Sequence, residues 1–280
     1  MRLLSIGHGF SARALAPRLI DLGWEVRGTT RSPEKTDGIA ATGVRPIVWP
    51  GDDLTPHIDW ATHVLHSVAP DDGDPVIDTY GGPLQRAGLQ WFGYLSTTGV
   101  YGDHGGEWVD ESTALAPSTT RGAARVRAEA AWQALLPKLP LHIFRLAGIY
   151  GPGRGPFAKV KSGKARRIVK PGQVFSRIHV TDIATVLEAS IARPNPGCAY
   201  NVCDDDPAPP QDVIAHAADL LGLPRPPEVP FDQADLSPMA RSFYAESKRV
   251  RNDRIKTELG VTLAFPTYRE GLAALLHEAT

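Results

Sequence analysis

Short apolar runs alternate with stretches of helical periodicity through the first half of the chain. Residues 2–6, 25–29, 45–49, 63–68, 91–96 and 141–146 read as strands. Between them Ala12, Ala14, Leu15, Leu19 and Ile20 recur at helical spacing, as do Val76 and Leu84 and then Val126, Ala130 and Leu135. Such alternation predicts parallel βαβ units. The connection 49–63 holds Pro50 and Pro56 with little periodicity, predicting a degenerate crossover. From Gly151 the texture changes to Gly-Pro-Gly-Arg-Gly-Pro and a basic stretch ending at Lys170, before 177–184 opens a helix and 198–203 gives another strand. The remainder is Pro-rich, with helices expected at 211–221, 245–259 and 267–279. The predicted fold is α/β: a Rossmann-type, doubly wound parallel sheet built from 1–150, to which 177–203 returns. A small, sequence-discontinuous C-terminal lobe would come from 151–176 and 204–280.

A length of 280 residues suits one large α/β domain with a lobe attached. The 30 Lys and Arg against 31 Asp and Glu leave a net charge of −1, hence no global field for nucleic acid or an anionic membrane. The expected partner is a small molecule, with a homodimer allowed. Cys198 and Cys203 lack metal or redox spacing, and the chain runs directly into a strand. A cytoplasmic, soluble, disulfide-free protein is expected. The longest apolar runs fall well short of the roughly 20 residues that span a bilayer.

Gly7-His8-Gly9-Phe10-Ser11-Ala12 stands where the first strand meets the first helix. It matches the dinucleotide fingerprint: Gly7 for a tight turn, Gly9 for close backbone approach to a pyrophosphate, Ala12 for close helix–strand packing, with Phe10 at the helix start. The helix N-terminus would present N–H groups and the positive end of its dipole to the phosphates. Strand two ends Thr30-Arg31-Ser32, where an NAD-selective site usually offers an acid to the ribose hydroxyls. Arg31 can instead pair with a 2′-phosphate, helped by Thr30 and Ser32, so NADP is the expected cofactor, with NAD as the alternative. The other reading of Arg31 is a solvated loop. Asp53 and Leu54, after strand three, either border adenine or form an ordinary loop. Ser67 ends strand four, where ligands of such sheets lie, beside His66, which reads as a packed strand residue.

Ser96-Thr97-Thr98-Gly99-Val100-Tyr101-Gly102, the run Arg145 to Gly153, Arg177 to Ala184 and Tyr200-Asn201-Val202 join the glycine turn in one order. Together they resemble the extended short-chain dehydrogenase/reductases, the epimerase/dehydratase group, across nearly the whole chain. The resemblance implies that Thr97 holds the catalytic Ser/Thr position and that the small lobe binds substrate. It also implies a Tyr-x-x-x-Lys pair, Tyr as acid/base and Lys on the nicotinamide ribose, where this chain has Arg121 and Arg125. A guanidinium does not shuttle protons near neutral pH. Arg125 can replace Lys in donating hydrogen bonds, Arg121 can hold an anionic substrate group, and Tyr101 becomes the nearest candidate phenol. One turn apart, the two arginines share a helix face, which is either a wall of the site or solvated surface.

The expected function is that of an atypical NADP(H)-binding member of this group, an oxidoreductase or epimerase/dehydratase-like enzyme on a small polar, anionic or nucleotide-sugar-like substrate. The alternative is a cofactor-binding regulatory or scaffold protein that has lost turnover.

Overall fold

The computed structural model describes residues 1–71 and 73–278. Its elements in chain order are β1 (Arg2–Ile6), α1 (Phe10–Asp21), β2 (Glu25–Thr30), α2 (Thr36–Ala40), β3 (Arg45–Val48), α3 (Thr55–Trp60), β4 (His63–His66), α4 (Pro75–Arg86), β5 (Trp91–Thr97), β6 (Trp108–Val109) and α5 (Thr120–Gln133). There follow β7 (Leu141–Leu146), β8 (Gly148–Tyr150), α6 (Phe157–Lys161), β9 (Arg167–Val169), β10 (Arg177–His179), α7 (Val180–Ala192), β11 (Ala199–Val202), α8 (Pro210–Leu220), β12 (Glu228–Pro230), α9 (Pro238–Phe243), β13 (Arg249–Val250), α10 (Asp253–Thr257) and α11 (Tyr268–Glu278).

Seven parallel strands form the central sheet in the order β11-β7-β5-β4-β1-β2-β3. Both faces are covered, which is why the strands read as continuous apolar runs rather than as alternating ones. Successive side chains point to opposite faces. Leu3, Leu65, Trp91, Leu95 and Phe144 pack with α1 and α7 on one side, while Leu4, Ile6, Val64, Phe92, Tyr94 and Ile143 pack with α3, α4 and α5 on the other. The crossover 49–63 carries only the six-residue α3, in keeping with its weak periodicity.

A further core gathers Tyr150, Val160 and Ala165 with Ala208, Val213, Ala217, Tyr268, Leu272 and Leu275, so residues on both sides of the returning strand meet in one outer cluster. Not all of 204–280 stays there. Ile255, Leu259, Val261 and Leu263 join the core beneath the sheet.

The helix expected at 245–259 is replaced by β13, paired in parallel with β6, and the short α10. Val250 is buried in a cluster with Val109 and Tyr101, and the Lys248 Nζ donates to the Gly102 carbonyl at 2.7 Å, so tertiary partners override the local helical pattern. Both cysteines are free thiols. Among the described residues no helix is long and apolar enough to cross a membrane.

Candidate functional site

The strand order reverses between β1 and β4, and in open parallel sheets ligands lie outside the carboxyl ends of strands at such a switch point. Gly7 leaves β1 with φ +83°, a left-handed conformation that glycine takes without steric cost. Its N–H donates to the Thr29 Oγ1 at 2.7 Å, and the Ser67 hydroxyl, at the end of β4, donates to its carbonyl. A Cβ on Gly7 would lie 3.0 Å from the Ser67 Oγ and the Val68 side chain, so the turn is packed on that side. Gly9 differs. It is exposed, caps α1 with extended backbone and no side-chain hydrogen bond, and a Cβ there would meet only the Gly7 carbonyl oxygen at 3.7 Å. The first-turn N–H groups of α1 therefore have no capping side chain and open onto space beside Gly9, an arrangement suited to an anionic group. Ala12 is buried against the sheet, and Phe10 is half-buried with the Arg154 guanidinium 5.5 Å from its ring centroid. His8, inside the turn, has its pKa lowered to about 4, first by burial and then by Arg13, so it adds no charge at neutral pH.

At the end of β2, Arg31 is exposed and, among the described residues, has neither ion pair nor hydrogen bond. The Thr30 Oγ1 accepts from the Ser32 N–H at 3.2 Å, fixing the loop on which Arg31 stands. Asp53 is exposed, its carboxylate accepting from the Thr55 N–H at 3.0 Å and the Thr55 hydroxyl at 2.9 Å, bonds that hold its pKa below the usual range. Leu54 requires a correction. It is 0% exposed in the core, its N–H donating to the Tyr80 hydroxyl, so its side chain is not offered to adenine.

Thr97 closes β5. Its Oγ1 accepts from the Gly99 N–H at 3.2 Å, which leaves the hydroxyl proton free to donate. Tyr101, in the 3₁₀ turn that follows, is also corrected. Its ring is 0% exposed, its hydroxyl donates to the Asn201 Oδ1 at 2.7 Å and accepts from the Arg145 Nη1 at 3.0 Å, and its pKa is pushed up to about 12, chiefly by burial. A sealed phenol of that kind is no proton donor to a substrate.

Arg125 is half-buried, its Nη1 donating to the Tyr94 hydroxyl at 2.9 Å and the Leu95 carbonyl at 2.7 Å. Arg121, one turn earlier, is exposed and without a partner among the described residues. The two share a helix but not an environment.

No family model matches the chain. A solved structure of a conserved protein of unknown function from Silicibacter pomeroyi is 60% identical, with a TM-score of 0.94 and 99% of each chain covered. The chain belongs to the same family as that protein. Among curated relatives, a Streptomyces 3-diazoavenalumate denitrifying reductase is 31% identical over 163 residues, which span 54% of this chain and 52% of the relative, about half its length. The UDP-glucuronic acid 4-epimerase of Bacillus cereus, solved in complex with NAD, is 17% identical with a TM-score of 0.79 over 99% of each chain, a likeness of fold. The fold is thus the Rossmann type of the NAD-dependent epimerases and dehydratases.

Beneath the strand ends, this fold holds a buried polar network that the sequence reading missed. The Arg145 guanidinium pairs with Glu129, Nη2 to Oε2 at 2.8 Å, and the Ser96 hydroxyl donates to the Glu129 Oε1 at 2.5 Å. Asn201 receives Tyr101 on its side chain, while its backbone N–H donates to the Glu111 Oε1 at 2.7 Å. The available signal was Glu129 itself, four residues after Arg125 and so on the same helix face. At the start of α7 the His179 Nδ1 is the cap, accepting from the Thr181 N–H, while Asp182 receives the Ala264 and Phe265 N–H groups.

Proposed function

We propose that the protein is a nicotinamide nucleotide-dependent enzyme of the oxidoreductase or epimerase/dehydratase type, selective for NADP(H), acting on a small polar substrate with an anionic group. The open, uncapped start of α1 at Gly9 carries this reading, because it combines free N–H donors with room that no side chain fills. Gly7, Gly9, Phe10 and Ser67 would hold the pyrophosphate side. Arg31, unpaired on a loop fixed by Thr30 and Ser32, would take the 2′-phosphate, with Asp53 beside the adenine side. A bound nicotinamide would supply hydride exchange.

The residues of this chain do the rest. The free Thr97 proton can hydrogen-bond a substrate carbonyl or hydroxyl. Arg125 keeps Nε and Nη2 for a ribose or substrate oxygen after its two Nη1 bonds, and the exposed Arg121 can hold the anionic group. With Tyr101 sealed, the proton comes from water or from the substrate itself. The relative named as a reductase and the epimerase solved with NAD support this class of chemistry. Fluorescence titration with NADPH and NADH, followed by a metabolite panel scored for NADPH oxidation and NADP reduction, tests it. Binding with turnover of at least one anionic metabolite is expected. Failure of both nucleotides to bind overturns the reading, and tight binding without any turnover replaces it with a nucleotide-binding regulatory protein.

A further inference from the structure

Between the β8–β10 pair and helices α8 and α11 lies a cavity of about 170 Å³. Its polar lining is Tyr150, Arg154, Arg177 and Tyr268, and its apolar lining includes Val213 and Leu272. Space of this order admits a benzene-sized molecule. Arg177 is pinned by its Nη1, which donates to the Phe175 carbonyl at 2.8 Å and the Ala208 carbonyl at 3.0 Å. Among the described residues its remaining N–H groups have no partner. Tyr150 is 7% exposed, and its hydroxyl is closed off against Gly271 of α11, so it forms a wall of the cavity rather than a donor into it.

The carboxylate nearest in influence is Asp204, 1% exposed. Burial pushes its pKa up to about 8, which weakens the charge it sets against Arg177. A fixed guanidinium fork with free donors and apolar walls together describe a receptor for an amphipathic anion.

We propose that this cavity binds a small carboxylate with an apolar body, its head group on Arg177 and its body against Val213 and Leu272. The planar fork matches a carboxylate, which Arg binds through two parallel bonds. Arg154 reaches from the cavity lining to the ring of Phe10 and so connects it with the nucleotide turn. The proposal does not require the nucleotide assignment to hold.

The full chain titrated with 4-fluorobenzoate, 4-fluorobenzyl alcohol and 4-fluorophenyl phosphate, followed by fluorine NMR, tests it. The carboxylate should bind at least about tenfold more tightly than the alcohol, the size expected for one hydrogen-bonded charge pair. Arg177→Met should abolish that preference. Val213→Phe, which fills the cavity and leaves the arginine in place, should weaken both ligands and keeps the test informative if Arg177→Met fails to fold. Equal binding of acid and alcohol, tighter binding of the phosphate, displacement by NADPH, indifference to Val213→Phe, or no binding at all would each overturn the proposal.

Discussion

Arg125 donates to the hydroxyl of Tyr94 at 2.9 Å, across the gap between helix α5 and strand β5. Its guanidinium carbon lies 5.5 Å from the same ring. Tyr94 is wholly buried and its pKa is raised to about 12, with burial the dominant cause. The arginine therefore braces the strand that ends in Thr97, besides any contact it makes with a ligand. Arg125→Met should lower stability by about 1–3 kcal/mol, the cost of an unsatisfied buried hydroxyl. Adding Tyr94→Phe should cost less than the sum of the single changes. Urea unfolding of the four proteins measures the coupling, and strict additivity would rule it out.

The two glycines of the turn should separate fold from binding. Gly9→Val places its side chain in open space, so the melting temperature should hold while nucleotide affinity is lost. Gly7→Ala forces a side chain into a left-handed conformation already crowded by Ser67 and Val68, and should cost roughly 1–2 kcal/mol of stability or more. Calorimetric melting paired with nucleotide titration distinguishes the two effects. Normal NADPH binding by a folded Gly9→Val protein would show that the pyrophosphate lies elsewhere.

Cofactor choice should turn on Arg31. NADPH should bind at least about tenfold more tightly than NADH, as for one hydrogen-bonded charge contact. Arg31→Asp should narrow or reverse that ratio without altering the melting temperature, since the side chain holds no structural partner. Fluorescence titration reads the ratio directly, and equal affinities in the unchanged protein would remove the arginine from the site.

Tyr101 and Glu129 belong to structure rather than to proton transfer. Tyr101→Phe should keep turnover on any substrate the panel reveals within a few-fold. Glu129→Ala strands the buried Arg145 charge and should destabilise by about 3–5 kcal/mol. A pH–rate profile of the Tyr101→Phe protein, compared with denaturant midpoints for both variants, checks the division. Loss of the rate by orders of magnitude with an unchanged fold would return Tyr101 to the catalytic set.

Stability should also depend on pH in two opposed windows. His8, His63, His142 and His179 have folded pKa values lowered to about 4 by burial, so the unfolded chain binds more protons below about 6.5 and stability falls as pH drops from there towards 4. Asp204 acts with the opposite sign. Its folded pKa of about 8 lies above the unfolded value, so its contribution is present at low pH and is lost as pH rises towards 8. Above about pH 7.5 these histidines are neutral in the folded state and about nine-tenths neutral in the unfolded one, so between about 7.5 and 8 the carboxyl dominates. Asp204→Asn should flatten the decline there, as followed by denaturant midpoints across the range. An identical slope in the variant would place its cause elsewhere.

The sheet and the glycine turn are legible along the chain, because both rest on local chemistry. Continuous apolar runs of strand length can be buried only on both faces, and a glycine at a strand–helix junction permits backbone that other residues resist. Strands β1 and β7 have the bounds that the pattern assigns, and the other strands of the main sheet differ by at most two residues at either end. Periodicity said nothing, however, about which partner a polar side chain would find. Tyr101 looked like a free phenol in a motif, yet the pairing of β5 with β7 and of β7 with β11 brings Arg145 and Asn201 to its hydroxyl from 44 and 100 positions away. Likewise Arg121 and Arg125 are equivalent by helical spacing, and only the packing of α5 against β5 ties one to Tyr94 and leaves the other in solvent. Helix 245–259 failed for the same reason: a stretch compatible with two secondary structures takes the one whose tertiary contacts are stronger, and those contacts lie far away along the chain.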